Sequence, residues 1–200
     1  ILLSYGTILV VNADYTLGVK AGDTIKYEMS YSGTAPEAPG RTEWSASEIL
    51  SIAGTTVTYR ETDHLISGAE INRTTSETIA NGTSGPIQSG LFVPANLKAG
   101  DTISMNLGAG PIMIAGETMQ TYASASRILV WAKFSIIGIQ FTDYWDKQTG
   151  ILVESQQVSQ NQDSSIQKLT ETNLWSADLS SQFGWWLWIG IAAAVVAVIV

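Results

Sequence analysis

The sequence has no cysteine and a single histidine among its 200 residues. The lack of cysteine excludes disulfides, thiolate catalysis, zinc ribbons and Fe–S clusters. Basic residues are also scarce: ten Lys and Arg stand against 18 Asp and Glu, which gives a net charge of −8. Because the basic residues are scattered along the chain, they form no patch that could hold phosphates, and we expect no nucleic-acid partner.

Strand-forming residues dominate what is present. Charged residues make up only 14% of the chain, whereas Ser, Thr, Trp and Tyr are abundant, and this composition favours strands over helices. In Tyr27–Tyr31 the two tyrosines and Met29 share one face of a strand. The sequence predicts an all-β antiparallel domain, built as a sandwich or as a curved sheet. The predicted strands are Thr24–Ser32, Glu43–Ile52, Thr55–His64, Glu70–Ile79, Thr102–Leu107, Glu117–Ser126, Ile128–Ile137, Ile139–Asp146, Gly150–Ser159 and Ser165–Asn173.

The C-terminal segment, residues 183–200, contains no charged or strongly polar side chain. Its length is close to that of a hydrocarbon layer, so it predicts a single transmembrane helix with membrane lipid as its partner. Trp185, Trp186 and Trp188 stand at its start and are expected at the outer interface, with Val200 toward the cytoplasm. The alternative is that identical tails pack together at the centre of a filament.

The N-terminal segment is also apolar. Residues 1–13 are interpreted as the remnant of a signal peptide, because small residues precede Asp14 at the positions a signal peptidase requires. A genuine first strand is the alternative. The predicted organisation is then an extracellular β domain over residues 14–175, a polar spacer over 176–182, and the membrane helix. Asn72 and Asn81 lie in N-glycosylation sequons, which agrees with this placement.

An internal repeat links the two halves of the domain. Lys20–Ile25 and Lys98–Ile103 are identical, Lys-Ala-Gly-Asp-Thr-Ile. In this motif Gly supplies a positive φ, Asp bonds nearby backbone, and Thr-Ile opens a strand. Similar segments follow each copy, so we interpret the chain as a divergent duplication, and we expect both copies to adopt the same turn.

The candidate sites for chemistry are few. His64 follows Asp63 directly, and adjacent strand residues point to opposite faces, so no acid–base pair or metal site is expected there. Asp143, Asp146 and Glu154 are acidic and close in sequence, but Tyr144–Leu152 is interpreted as a hairpin and not as a calcium loop. Eight aromatic residues are expected mainly in the core, with a sugar or lipid cleft as the alternative: Tyr27, Tyr31, Trp44, Tyr59, Tyr122, Trp131, Tyr144 and Trp145.

Four segments together carry a resemblance to a known group of proteins: Tyr15–Asp23, Phe92–Asp101, Tyr144–Leu152 and Glu171–Trp175. The chain resembles uncharacterised archaeal secreted or membrane-anchored surface proteins. The likeness implies fold and location, and no catalytic residue. A more distant likeness, through the Asp-x-x-Thr-Gly hairpin, is to the lipoprotein-carrier fold, a curved antiparallel sheet, and it is not extended to lipid carriage.

The sequence therefore predicts a non-enzymatic structural or interaction domain at the cell surface, anchored by its C-terminal helix. It would be part of an envelope layer, a filament or an accessory subunit of a membrane assembly, with a protein partner or self-association. The alternative is a lipid- or glycan-binding module with an aromatic-lined cleft. No cofactor or metal is expected.

Overall fold

A computed structural model describes residues 16–34, 36, 38–79, 90–104 and 110–176. Within these ranges all regular structure is β-strand, and there is no helix, which confirms the predicted all-β class. No helix in this part of the chain is long and apolar enough to cross a membrane. The segments predicted as signal remnant and membrane helix lie outside the described residues, as does Asn81.

The strands, in chain order, are β1 (Thr24–Ser32), β2 (Thr42–Ala53), β3 (Thr56–Leu65), β4 (Glu70–Thr78), β5 (Thr102–Ser104), β6 (Pro111–Met113), β7 (Gly116–Tyr122), β8 (Ala125–Ile136), β9 (Ile139–Asp146), β10 (Leu152–Val158) and β11 (Ser164–Thr172). Nine of them form one antiparallel sheet in the order β4-β3-β2-β1-β11-β10-β9-β8-β7, and β5 pairs with β6 in a second, small sheet. The sequence left a sandwich and a curved sheet open, and these nine strands form one large antiparallel sheet. Register shifts in three strand pairs mark irregularities of the kind that bend strands.

One strand prediction was wrong, and one short strand was missed. The segment predicted as one strand, Glu117–Ser126, is interrupted at Ala123 and Ser124, which turn the chain from β7 into β8 with positive φ angles of 46° and 62°. Turns of this kind are usually marked by Gly or Asn, and neither is present, so the pattern gave no signal. The short strand β6 was missed because it has three residues and begins with Pro111, which is unfavourable in a strand interior.

One face of the sheet, here called the inner face, holds the core. Tyr27, Tyr59, Val130 and Trp145 are almost fully buried on it. The segment 90–97 crosses this face and is held by backbone bonds to the turn after β9: Val93 N donates to Gly150 O at 2.9 Å, and Leu152 N donates to Leu91 O at 2.9 Å. The opposite, outer face carries polar and aromatic side chains such as Lys26, Trp44 and Tyr144.

The repeated motif adopts the same turn in both copies, as predicted. Gly22 and Gly100 have φ angles of 86° and 91°. Asp23 accepts from Lys20 N at 2.7 Å, and Asp101 accepts from Lys98 N at 2.9 Å. Their surroundings differ, since the strand after the first copy joins the large sheet and the strand after the second joins the small one.

Candidate functional site

His64 and Asp63 lie on opposite faces of β3, as the strand geometry predicts. Asp63 pairs with Arg73 Nη1 at 2.8 Å on the inner face. His64 stacks on Trp44 on the outer face, with ring centroids 5.0 Å apart and an interplanar angle of 4°. The two residues therefore form no acid–base pair with each other. Among the described residues no group of His, Asp and Glu side chains converges as a metal site would require.

The three acidic residues of the β9–β10 region do not converge either. Asp146 is buried and accepts two bonds from Arg127, at 2.8 Å from Nε and 3.1 Å from Nη2. It also accepts from Thr149 N and Thr149 Oγ1, at 2.8 and 2.7 Å, so it organises the turn. Gly150 completes this turn with a φ of 75°. The structure thus confirms the hairpin at Tyr144–Leu152.

Asp143 and Glu154 have separate environments. Asp143 lies on the inner face and accepts one bond from Ser155 Oγ at 2.6 Å. Burial raises the pKa of Asp143 to about 6, and the bond from Ser155 offsets part of this rise. Glu154 lies on the outer face, where it accepts from Tyr122 Oη at 2.8 Å. Burial and this bond raise the pKa of the Tyr122 hydroxyl.

The aromatic residues divide into two groups. Tyr27, Tyr59, Tyr122 and Trp145 are buried, as the core interpretation predicts. Two of them use their polar atoms inside the core: Tyr27 Oη donates to Leu152 O at 2.6 Å, and Trp145 Nε1 donates to Gly90 O at 2.8 Å. The other four, Tyr31, Trp44, Trp131 and Tyr144, are half-buried. Since the eight rings are spread over both faces, they do not line one common cleft.

A trough on the outer face was not predicted. Its floor is a row of paired residues that runs across the sheet, from Thr62 through Ala46 and Lys26 to Glu171, and Asn72 continues this row on β4. Small side chains at Ala46 and Thr62 make this row low. On one side stands the row with the Trp44–His64 stack, and on the other stands the Glu48–Arg60 pair. The depression has a volume of about 500 Å³, and its lining combines charged and hydroxyl side chains with apolar atoms.

Asn72 lies next to the trough, as the β4 partner of the lining residue Thr62. It is exposed, and its Oδ1 accepts from Thr62 Oγ1 at 2.6 Å. Thr74, the third residue of the sequon, lies on the same face of β4 and is exposed as well. Asn72 is therefore accessible to modification, whereas the sequence alone showed only that the triplet is present.

The two ends of β8 differ in what surrounds their turns. At the Ala123–Ser124 end, Trp175 Nε1 donates to Tyr122 O at 3.2 Å, and the Arg127 guanidinium lies 4.6 Å from the Trp175 ring centroid. At the other end, Ile137 occupies the turn between β8 and β9 with a φ of 48° and is 97% exposed. A β-branched residue with positive φ is a rare and strained conformation.

No family model matches this chain, and no curated protein matches it. Among solved structures it is similar to MucB in complex with MucA(peri), with a TM-score of 0.42, 15% identity, and coverage of 80% of this chain and 53% of that chain. It is similar to MucB alone with a TM-score of 0.42, 14% identity, and coverage of 80% and 56%. The chain thus spans little more than half the length of both structures.

Proposed function

We propose that the protein is a cell-surface interaction domain, anchored by residues 183–200, that engages a protein partner with the turn at Ile137. No catalytic role is assigned. The observation that carries this proposal is Ile137 itself, because strained backbone and a fully exposed apolar side chain occur together at one position. Strain of this kind costs on the order of 1–3 kcal/mol, and such outliers concentrate at functional positions.

The position of the Ile137 turn in the sheet indicates whether it faces the anchoring membrane or points away from it. The last described residues, Trp175 and Ser176, lie at the Ala123–Ser124 end of β8. Strand β8 has 12 residues, which corresponds to about 36–40 Å at about 3.3 Å per residue. A tail that continues toward a membrane from Ser176 therefore starts at the end of the sheet opposite to Ile137. This favours a partner protein over the anchoring membrane as the occupant of the Ile137 turn.

Other turns accompany Ile137 at that end. The β10–β11 turn lies beside it, since a side chain added at Gly138 would overlap the amide group of Gln160. Val158 and Ile139 are 42% and 36% exposed nearby. Ile137 is thus the most exposed point of a small apolar patch bordered by amides, a composition that suits a protein contact with an apolar centre and a polar rim.

The partner contact is tested with a photo-crosslinking amino acid at position 139 of the full chain on intact cells. We expect a discrete cross-linked protein product that is lost in Ile137→Asn, because Asn tolerates positive φ while removing the apolar side chain. The matched control is Ala123→Asn, which changes the equivalent turn position, with a φ of 46°, at the other end of β8. A product that survives Ile137→Asn, or that is lost in both variants, would contradict the contact.

The anchor is tested separately by deletion of residues 183–200. We expect the full chain to require detergent for extraction and the deleted protein to be secreted in folded form, since no charge opposes insertion of the segment. Full-length protein released as polymers without detergent would instead support tails that associate with one another, and the anchor would be wrong.

A further inference from the structure

The chemistry of the outer-face trough is balanced in charge. Two cationic and two anionic side chains line it, in two ion pairs: Lys26 Nζ lies 2.6 Å from Glu171 Oε1, and Arg60 Nη1 lies 3.6 Å from Glu48 Oε2. The two positive and two negative charges cancel. The trough therefore has no net attraction for phosphate or for a metal cation, and an acyl chain laid over it would have to desolvate the four charged groups.

The same side chains remain open to solvent. The exposed fractions are 34% for Lys26, 67% for Glu171, 57% for Arg60 and 49% for Glu48. Both donors and carboxylate acceptors can thus exchange hydrogen bonds with water for bonds with a ligand. A neutral ligand with many hydroxyl groups, each of which can donate and accept, can form hydrogen bonds with all four side chains without leaving a charge unmatched.

The walls and the ends of the trough fit an extended ligand. Beside the lining residues, Lys26 Nζ lies 5.6 Å from the centroid of the Trp44 ring, which stacks on the parallel ring of His64. The floor crosses β3, β2 and β1 at about 4.8 Å per strand, so the trough is long enough for two or three sugar rings. Asn72, in its sequon, stands at the β4 end of the same row.

We propose that this trough is a carbohydrate-binding site with Ala46 as its floor and with Lys26, Glu48, Arg60 and Glu171 as its hydrogen-bonding groups. The saccharide has one of two sources: the glycan carried by Asn72 of the same chain, or a separate polysaccharide of the cell envelope. This inference goes beyond the proposed partner contact at Ile137, and it rests on the proposed function only for the extracellular location.

The test uses the full chain, made in an N-glycosylating host and purified in a detergent without sugar groups. Wild type is compared with Asn72→Gln by titration with neutral hexasaccharides of glucose, mannose and N-acetylglucosamine. We expect Asn72→Gln to bind at least one of them with a Kd below about 1 mM. If wild type binds the same sugar equally, the source is a separate polysaccharide; if glycosylated wild type does not bind, its own glycan occupies the trough.

The position of the site is tested by Ala46→Tyr in the Asn72→Gln background, which fills the floor with a residue that strands favour. Binding should weaken at least tenfold. The matched control, Thr142→Tyr, places the same side chain on the outer face of β9 and should leave binding unchanged. Should Ala46→Tyr fail to fold, Lys26→Ala takes its place. Absence of binding in Asn72→Gln, or equal binding in the Ala46→Tyr variant, would overturn the proposal, and neither result depends on the anchor or on Ile137.

Discussion

Gly150 is the position at which we expect one added methyl group to lower the free energy of unfolding most. Its φ of 75° disfavours any side chain, and a Cβ built there would overlap the carbonyl oxygen of Val93. Gly54 is the matched control, because its φ of 60° imposes the same backbone penalty while nothing lies within 4 Å of its added Cβ. The comparison of Gly150→Ala with Gly54→Ala therefore separates steric overlap from backbone strain.

The magnitude follows from what must move. Left-handed backbone costs about 1–2 kcal/mol for a residue with a Cβ, and this cost applies to both variants. In Gly150→Ala the segment 90–97 must also shift, which weakens the bond from Val93 N to Gly150 O and the 2.6 Å bond from Asn96 N to Lys147 O. Each of these bonds contributes about 1 kcal/mol. Together with the backbone cost and a partial loss of the packing of buried Phe92, the expected loss in the free energy of unfolding is about 4 kcal/mol.

Equilibrium unfolding in urea, followed by tryptophan fluorescence, measures the difference. We expect Gly150→Ala to lower the free energy of unfolding by about 2–3 kcal/mol more than Gly54→Ala. Equal losses within about 0.5 kcal/mol would mean that segment 90–97 is not held against the turn, and the description of the inner-face core would be refuted.

Two further predictions concern buried carboxylates. Burial raises the pKa of Asp143 from 3.8 to about 6, so the folded state binds a proton more tightly than the unfolded state. The free energy of unfolding should therefore fall as the pH rises from about 4 to 6, by at most about 3 kcal/mol, and should stay level at higher pH. Asp143→Asn should abolish this fall while keeping the acceptor for Ser155, and urea midpoints across that pH range would show it; an unchanged pH profile would refute it. Asp146→Asn removes the buried carboxylate that pairs with half-buried Arg127 and should cost about 2–4 kcal/mol. Glu171→Gln, which breaks an exposed pair, should leave the free energy of unfolding nearly unchanged. Similar losses in these last two variants would contradict the structural role of Asp146.

Local sequence patterns were sufficient for much of the fold. The period-two alternation of Tyr27–Tyr31 and the Gly and Asp residues of the repeated motif determine local conformation, and β1 and β9 begin and end where the pattern predicts. The Asp146–Gly150 turn was also recognisable, because a carboxylate that accepts backbone bonds and a glycine with positive φ are local requirements.

The trough and the strained turn were beyond such patterns for two different physical reasons. The floor of the trough joins Thr62, Ala46, Lys26 and Glu171, with Asn72 next to Thr62, and only the register of five strands brings them into one row. In the strained turn, tertiary structure imposes a positive φ on Ile137. The β-branched side chain of isoleucine favours strands, so its propensity predicts a strand at this position. Both features became visible only when the partners of each strand were known.

The two proposed contacts can be used at the same time, because the sheet separates them. Ser32, Ser164, Val158 and Gln140 pair in one continuous row, and Ile137 lies beyond that row. Lys26 lies six residues back along β1, about 20 Å from it, and β9 is three strands away from β1. The core occupies the middle of the inner face, whereas both proposed contacts use the outer face or the turns at the end of the sheet. A protein bound at Ile137 would approach along the strand direction, whereas a saccharide in the trough would lie across the strands. Substitution at Ile137 should therefore leave saccharide binding unchanged, and substitution at Ala46 should leave the protein contact unchanged.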